Sequence, residues 1–142
     1  MFSGIFRLFL FVALSMWSTR NFSQDPDLRH FERRVRPILV KHCIPCHGPR
    51  KQESELRLDS RANLLVGGAL SGPAVLVANA NASPLLLAVQ RQGDLQMPPD
   101  RRLAETEVRD LQKWVRAGAP WSATAPLTRP ESPTATWARH WA

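Results

Sequence analysis

Hydrophobic positions between Asp25 and Pro120 recur at three- and four-residue spacing, which predicts four helices and no convincing strand. Leu28, Phe31, Val35, Ile38 and Leu39 make one buried face of a first helix. It opens at Asp25-Pro26, a capping residue followed by proline in the first turn. Pro37 removes a backbone donor inside this pattern and is expected to kink or split it. A second, short helix has Ser60 as cap, Leu64, Leu65 and Val66 as contacts and Gly67-Gly68 as stop. A third begins at Ser83-Pro84, carries Leu85, Leu86, Leu87 and Val89, and ends near Gly93. The fourth is the clearest. Val108, Leu111, Trp114 and Val115 form its stripe, Glu105 and Glu107 suit its positive end, and Lys113 and Arg116 suit its negative end. Gly118 followed by Pro120 closes it. Its cap position holds Ala104, which costs about 1 kcal/mol relative to Ser or Asp.

The two ends of the chain read differently. Residues 1–23 have the pattern of an export signal: Arg7 supplies a positive start and an apolar run from Leu8 reaches Trp17. That run is too short to cross a bilayer, which takes about 20 residues. An uncleaved anchor or a buried helix is the alternative. No membrane span is expected in the mature chain. From Ala119 to Thr136 the sequence is rich in Pro, Ala, Thr and Ser, with little to bury, and residues 122–142 read as a disordered tail. The tail ends in an apolar Trp137–Trp141 stretch that belongs to no element. The resulting organisation is a signal at 1–23, one helical domain at 25–121 and a tail at 122–142.

Composition narrows the class. A chain of 142 residues with 44% hydrophobic and 22% charged positions fits one small globular domain. The formal charge is +7, and loss of residues 1–23 removes Arg7 and Arg20 but no acid, leaving 17 basic residues against 12 acidic ones. That excess is modest and the arginines lack interleaved aromatics, so nucleic-acid binding is not indicated. Arg29, Arg33, Arg34 and Arg36 read as a solvated face or as a patch that steers an acidic partner. Gly67-Gly68 with Ser71-Gly72-Pro73 is no phosphate loop, because no Gly-Lys-Ser/Thr follows. These glycines read instead as backbone passing close to a cofactor edge.

The chemistry concentrates in Cys43-Ile44-Pro45-Cys46-His47, the spacing of c-type haem attachment. One helical turn sets two thiols along a porphyrin edge, each able to form a thioether with a vinyl group, and the next residue, His47, can give its imidazole to iron. A redox cysteine pair needs no following histidine and normally sits beside a βαβ unit. Zinc needs four ligands, and no second pair stands at zinc-finger spacing. Met97, in Gln96-Met97-Pro98-Pro99, is the one methionine outside the signal and is the candidate for the second axial ligand. Its prolines hold the backbone extended; the alternative is a methionine that fills a gap in the core. His30, His42 and His140 read as solvated, with His30 or His140 as substitutes should Met97 not bind. Arg57 is a candidate partner for a haem propionate.

Several motifs in order resemble the planctomycete-type cytochrome c domain over Phe31 to Trp121. They are Val35-Arg36-Pro37-Ile38-Leu39, Cys43 to Pro49, Leu56-Arg57-Leu58-Asp59-Ser60-Arg61, Gly67-Gly68, Ser71-Gly72-Pro73-Ala74, Leu95-Gln96-Met97-Pro98-Pro99, and Trp114-Val115 to Gly118-Ala119-Pro120-Trp121. The resemblance implies an all-α, class I cytochrome c-like fold of about four helices wrapped around one covalent haem c. It also implies His47 and Met97 as axial ligands and electron transfer as the role. Members usually carry Ser or Thr where this chain has Ala104, and many are much longer. The expected function is therefore an exported monohaem electron carrier of the periplasm or envelope, not an enzyme. The rival readings are a peroxidase or ligand sensor from which Met97 dissociates, and a docking module of a larger envelope complex. Redox proteins are the expected partners; the oligomeric state is open.

Overall fold

The computed structural model describes residues 25–70, 72–122 and 126–128. The export segment 1–23, Ser71, His140 and the Trp137–Trp141 stretch lie outside the described residues. Among those described there is no strand, only two isolated bridges, His47 with Gln52 and Gly68 with Gly72. No helix among them is long and apolar enough to cross a membrane.

The first helix, α1, runs over residues 26–47. Asp25 caps it by accepting from the N–H groups of Asp27 and Leu28. It does not break at Pro37. α-Helical pieces at Pro26–His30, Arg36–Ile38 and Ile44–His47 alternate with π-helical pieces at Phe31–Val35 and Leu39–Cys43, and every junction residue stays right-handed. Each π piece ends one residue before an X-Pro pair, Arg36-Pro37 and Ile44-Pro45. There the N–H groups of Arg36 and Ile44 bond five residues back, to Phe31 and Leu39. A proline ring clashes with the carbonyl four residues before it, and the wider turn gives it room. The expected kink is thus replaced by two locally widened turns.

Three further helices follow: α2 (Arg61–Val66), α3 (Pro84–Val89) and α4 (Glu105–Arg116). Ser60 caps α2 through the Asn63 N–H, as its sequence implies. Val66 is not a contact residue: it is 74% exposed, and Leu64 alone of that helix is fully buried. α4 packs across the Phe31–Val35 piece of α1, placing Leu111, Trp114 and Val115 in the core. Phe31 sits 6.0 Å from Trp114 and 4.5 Å from Trp121, centroid to centroid, in tilted geometry. Trp114 also donates its indole N–H to the Pro120 carbonyl at 2.8 Å.

Polar ties close the same interface. His30 Nε2 donates to the Asp110 carbonyl at 3.0 Å, and Arg34 pairs with the Asp110 carboxylate at 3.0 Å. His30 is therefore not a solvated histidine; it joins α1 to α4. α4 ends in a motif in which the Ala119 N–H reaches back to Trp114 and the Gly118 N–H to Val115, with Gly118 at φ 88°. Arg61 donates to the carbonyls of Gly118 and Ala119, both at 3.1 Å. Within the stretch read as having little to bury, Leu127 is an exception: it is 2% exposed, joins the core, and donates its N–H to the Asp59 carbonyl at 2.7 Å.

Candidate functional site

The C-terminal turns of α1 carry Cys43, Cys46 and His47 to the wall of one cavity of about 880 Å³, a volume that includes its open mouth. Leu56 and Leu58 line it from the segment after α1, Gly68 from the turn after α2, Leu85, Ala88 and Val89 from α3, and Met97, Pro98 and Pro99 from the loop before α4. The cavity is therefore apolar apart from the cysteines, histidines and Ser54. Leu70 and Leu95, at 71% and 45% exposed, reach its wall from the surface side.

His47 is 9% exposed, and its Nδ1 is buried without a hydrogen-bond partner. Burial pushes the ring's pKa down, while the backbone carbonyls of Leu56 and Glu53 pull the other way; the first effect wins. The imidazole is thus neutral near pH 7, the form that ligates metals. Its backbone is fixed as well, by the Leu58 N–H donating to the His47 carbonyl at 2.8 Å. Both cysteines are free thiols and partly buried, and burial, followed by the neighbouring Cys46, pushes the Cys43 thiol up to about 12. No cluster of three or more His, Cys, Asp or Glu side chains suited to a metal ion occurs among the described residues.

Met97 lines the same cavity, and its N–H donates to the Ala88 carbonyl of α3 at 3.0 Å. Sequence reasoning thus named four residues, Cys43, Cys46, His47 and Met97, that the fold gathers around one space. Arg57 is not among them. Leu56 is extended, so side chains alternate along Leu56-Arg57-Leu58: the leucines line the cavity and Arg57 instead binds Asp59 at 2.6 and 3.2 Å. Asp59 is fully buried. Burial pushes its carboxyl up, but the bonds from Arg57 and Asn63 outweigh that and hold it below its ordinary value.

His42 corrects a second expectation. Its side chain is 6% exposed, lines the cavity, and lies 3.2 Å from the Glu107 carboxylate. Glu107 also accepts from the Ala104 N–H at 2.9 Å, which supplies half of a capping box although Ala104 itself has no side-chain acceptor. Gly68 behaves as its sequence setting suggests, but through protein packing. A Cβ there would stand 2.7 Å from the Ser54 carbonyl and 2.9 Å from the Leu56 Cβ, so a glycine is what lets these two wall segments touch. Gly67, at φ 81°, has no room for a side chain beside the Gly72 carbonyl.

Sequence reasoning missed Arg91. From the end of α3 it donates to Gln96 Oε1 at 2.8 Å, to the Pro98 carbonyl at 3.0 Å and to the Arg101 carbonyl. Its only sequence signal is a long cation six residues before Met97.

These residues fit a covalently held haem. Two free thiols stand one helical turn apart, the next residue is a neutral buried imidazole with an orphaned nitrogen, and a thioether shares the apolar cavity. Residues 43–101 match the family model described as Planctomycete cytochrome C, a span that contains all four residues and supports the resemblance seen in the motifs. No curated protein and no solved structure matches the chain.

Proposed function

Taking that family match as the premise, we propose that the chain is an exported c-type cytochrome that carries one haem and passes single electrons. The observation that supports this most is the convergence of Cys43, Cys46, His47 and Met97 on one apolar cavity. Cys43 and Cys46 would hold the group covalently, as thioethers formed by adding each thiol S–H across a vinyl group, which needs no oxidant or reductant. Such a bond keeps the cofactor on a protein outside the cytoplasm, where a dissociable haem would be lost. The bound group supplies a metal centre that cycles between ferric and ferrous by one electron. His47 would hold the iron through its imidazole nitrogen and Met97 through its sulfur, a thioether ligand being one that favours the reduced form. Apolar walls from Leu56, Leu58, Leu85 and Val89 act in the same direction by disfavouring extra charge.

Redox potentiometry of the haem-loaded chain tests the carrier role. The expected result is one reversible one-electron wave with no turnover of peroxide. Sustained peroxide consumption by the native chain would favour the reading in which Met97 leaves.

A further inference from the structure

Two helix ends in this protein use the same backbone bonds and different residues. At α4, Gly118 takes the left-handed position that follows the C-cap, φ 88°, as glycine commonly does. At α3, the Gln92 N–H reaches back to Leu87 and the Arg91 N–H to Ala88, so the position equivalent to Gly118 is Arg91, at φ 58°. A side chain with a Cβ is disfavoured there, and an arginine contributes nothing to the cap that glycine would not do better. Its value must lie in what the guanidinium touches.

What it touches is the Met97 loop. Nη1 and Nη2 bond Gln96 on one side of Met97 and the carbonyls of Pro98 and Arg101 on the other. The Arg91 backbone takes part too, because its N–H and that of Met97 share one acceptor, the Ala88 carbonyl, at 3.1 and 3.0 Å. We propose that Arg91 is the positioning residue for Met97: it ties the loop to the end of α3 from both sides of the methionine and so holds the thioether in the cavity. This rests on the reading of Met97 as an axial ligand. Freed of Arg91, the loop samples positions in which Met97 has left, and an external ligand competes more easily for the site.

The experiment compares haem-loaded wild type, Arg91→Gly, Arg91→Lys, Met97→Ala and Arg61→Gln. The readouts are imidazole affinity of the ferric form, the sulfur-to-ferric-iron absorption band, and thermal unfolding. Arg91→Gly relieves the backbone at α3 and removes only the side-chain bonds. It should fold as well as wild type yet bind imidazole about tenfold more tightly, with a weakened band. Arg91→Lys, with one nitrogen in place of a fork, should fall between. Arg61→Gln loses comparable guanidinium-to-carbonyl bonds away from the cavity, so it should lower the unfolding temperature without changing imidazole affinity. If Met97→Ala raises imidazole affinity while both Arg91 variants match wild type, the role of Arg91 is overturned and the ligand reading stands. If Met97→Ala itself changes neither affinity nor band, the ligand reading fails, and the inference fails with it. Should Arg91→Gly yield no haem-loaded protein, Arg91→Lys against Arg61→Gln decides by the same criteria.

Discussion

The N-terminal half of α1 packs against protein: Phe31 meets Trp114 and Trp121, Val35 is fully buried, and His30 and Arg34 bond Asp110 of α4. The C-terminal half instead brings Cys43, Cys46 and His47 to a cavity whose other walls are α3 and a proline-flanked loop. The first region departs from convention only in backbone and capping, at the π turn of Phe31–Val35, at Ala104 and at Ala119 (φ 52°), and it closes α4 with Gly118. In the second, conventions give way: Arg91 holds a glycine position, His47 keeps an orphaned nitrogen, and large apolar side chains such as Leu70 and Leu95 stand partly in solvent. Such departures concentrate where sequence is selected for a site and not for packing alone. Both halves of α1 feed the core, the second through Ile38, Leu39 and Ile44, but only the second also faces the cavity.

Substitutions in each region should sharpen that division. The largest effect is expected on the packed side. Trp114→Ala removes a fully buried indole and strands the Pro120 carbonyl, so denaturant unfolding should show a loss of about 3–5 kcal/mol. Next is Gly68→Ala in the cavity wall, where the new methyl meets the Ser54 carbonyl and the Leu56 Cβ. A loss of about 1–3 kcal/mol by the same assay is the expected outcome. A neutral result would mean that the wall yields, and that the cavity is softer than the α1–α4 interface.

Smaller effects belong to the junction of the regions, where Glu107 touches both His42 and the start of α4. Burial pushes the Glu107 carboxyl up, but the Ala104 N–H and His42 outweigh it, so its folded pKa lies below the ordinary 4.5. Its contribution is therefore present above pH 4.5 and lost as pH falls through the lower folded value. Glu107→Gln should flatten that part of the stability–pH curve, with a loss of about 1 kcal/mol at neutral pH. The smallest change is a gain. Ala104→Ser completes the capping box and should raise stability by up to about 1 kcal/mol, read as an increase in the unfolding temperature.

Most of the frame was legible because it follows local rules. Asp25-Pro26, Ser60 and Gly118 punctuate α1, α2 and α4 where capping and glycine preferences put them. That Cys43, Cys46, His47 and Met97 share one cavity was legible because the Cys-x-x-Cys-His spacing groups three of them and only one methionine lies outside the signal region. What stayed hidden depends on long-range partners. Nothing near Pro37 announces that its helix widens into π turns, and nothing near His30 or His42 announces Asp110 and Glu107, 65 to 80 residues away. Arg57, named as a partner for a haem propionate, bonds Asp59 while Leu56 and Leu58 line the cavity, an arrangement its residue type alone does not announce. Leu127 was hidden by its polar, proline-rich neighbours, since composition averages over a single buried side chain among them.

The most direct test of the account is the intact mass of the chain under denaturing conditions after export in cells that have the haem-attachment machinery, with the visible spectrum of the same sample. The expected result is a polypeptide heavier by one haem and sharp c-type bands on reduction. A polypeptide mass alone, with the machinery shown to be active on another substrate, would contradict it and leave Cys43 and Cys46 as a thiol pair beside an apolar cavity.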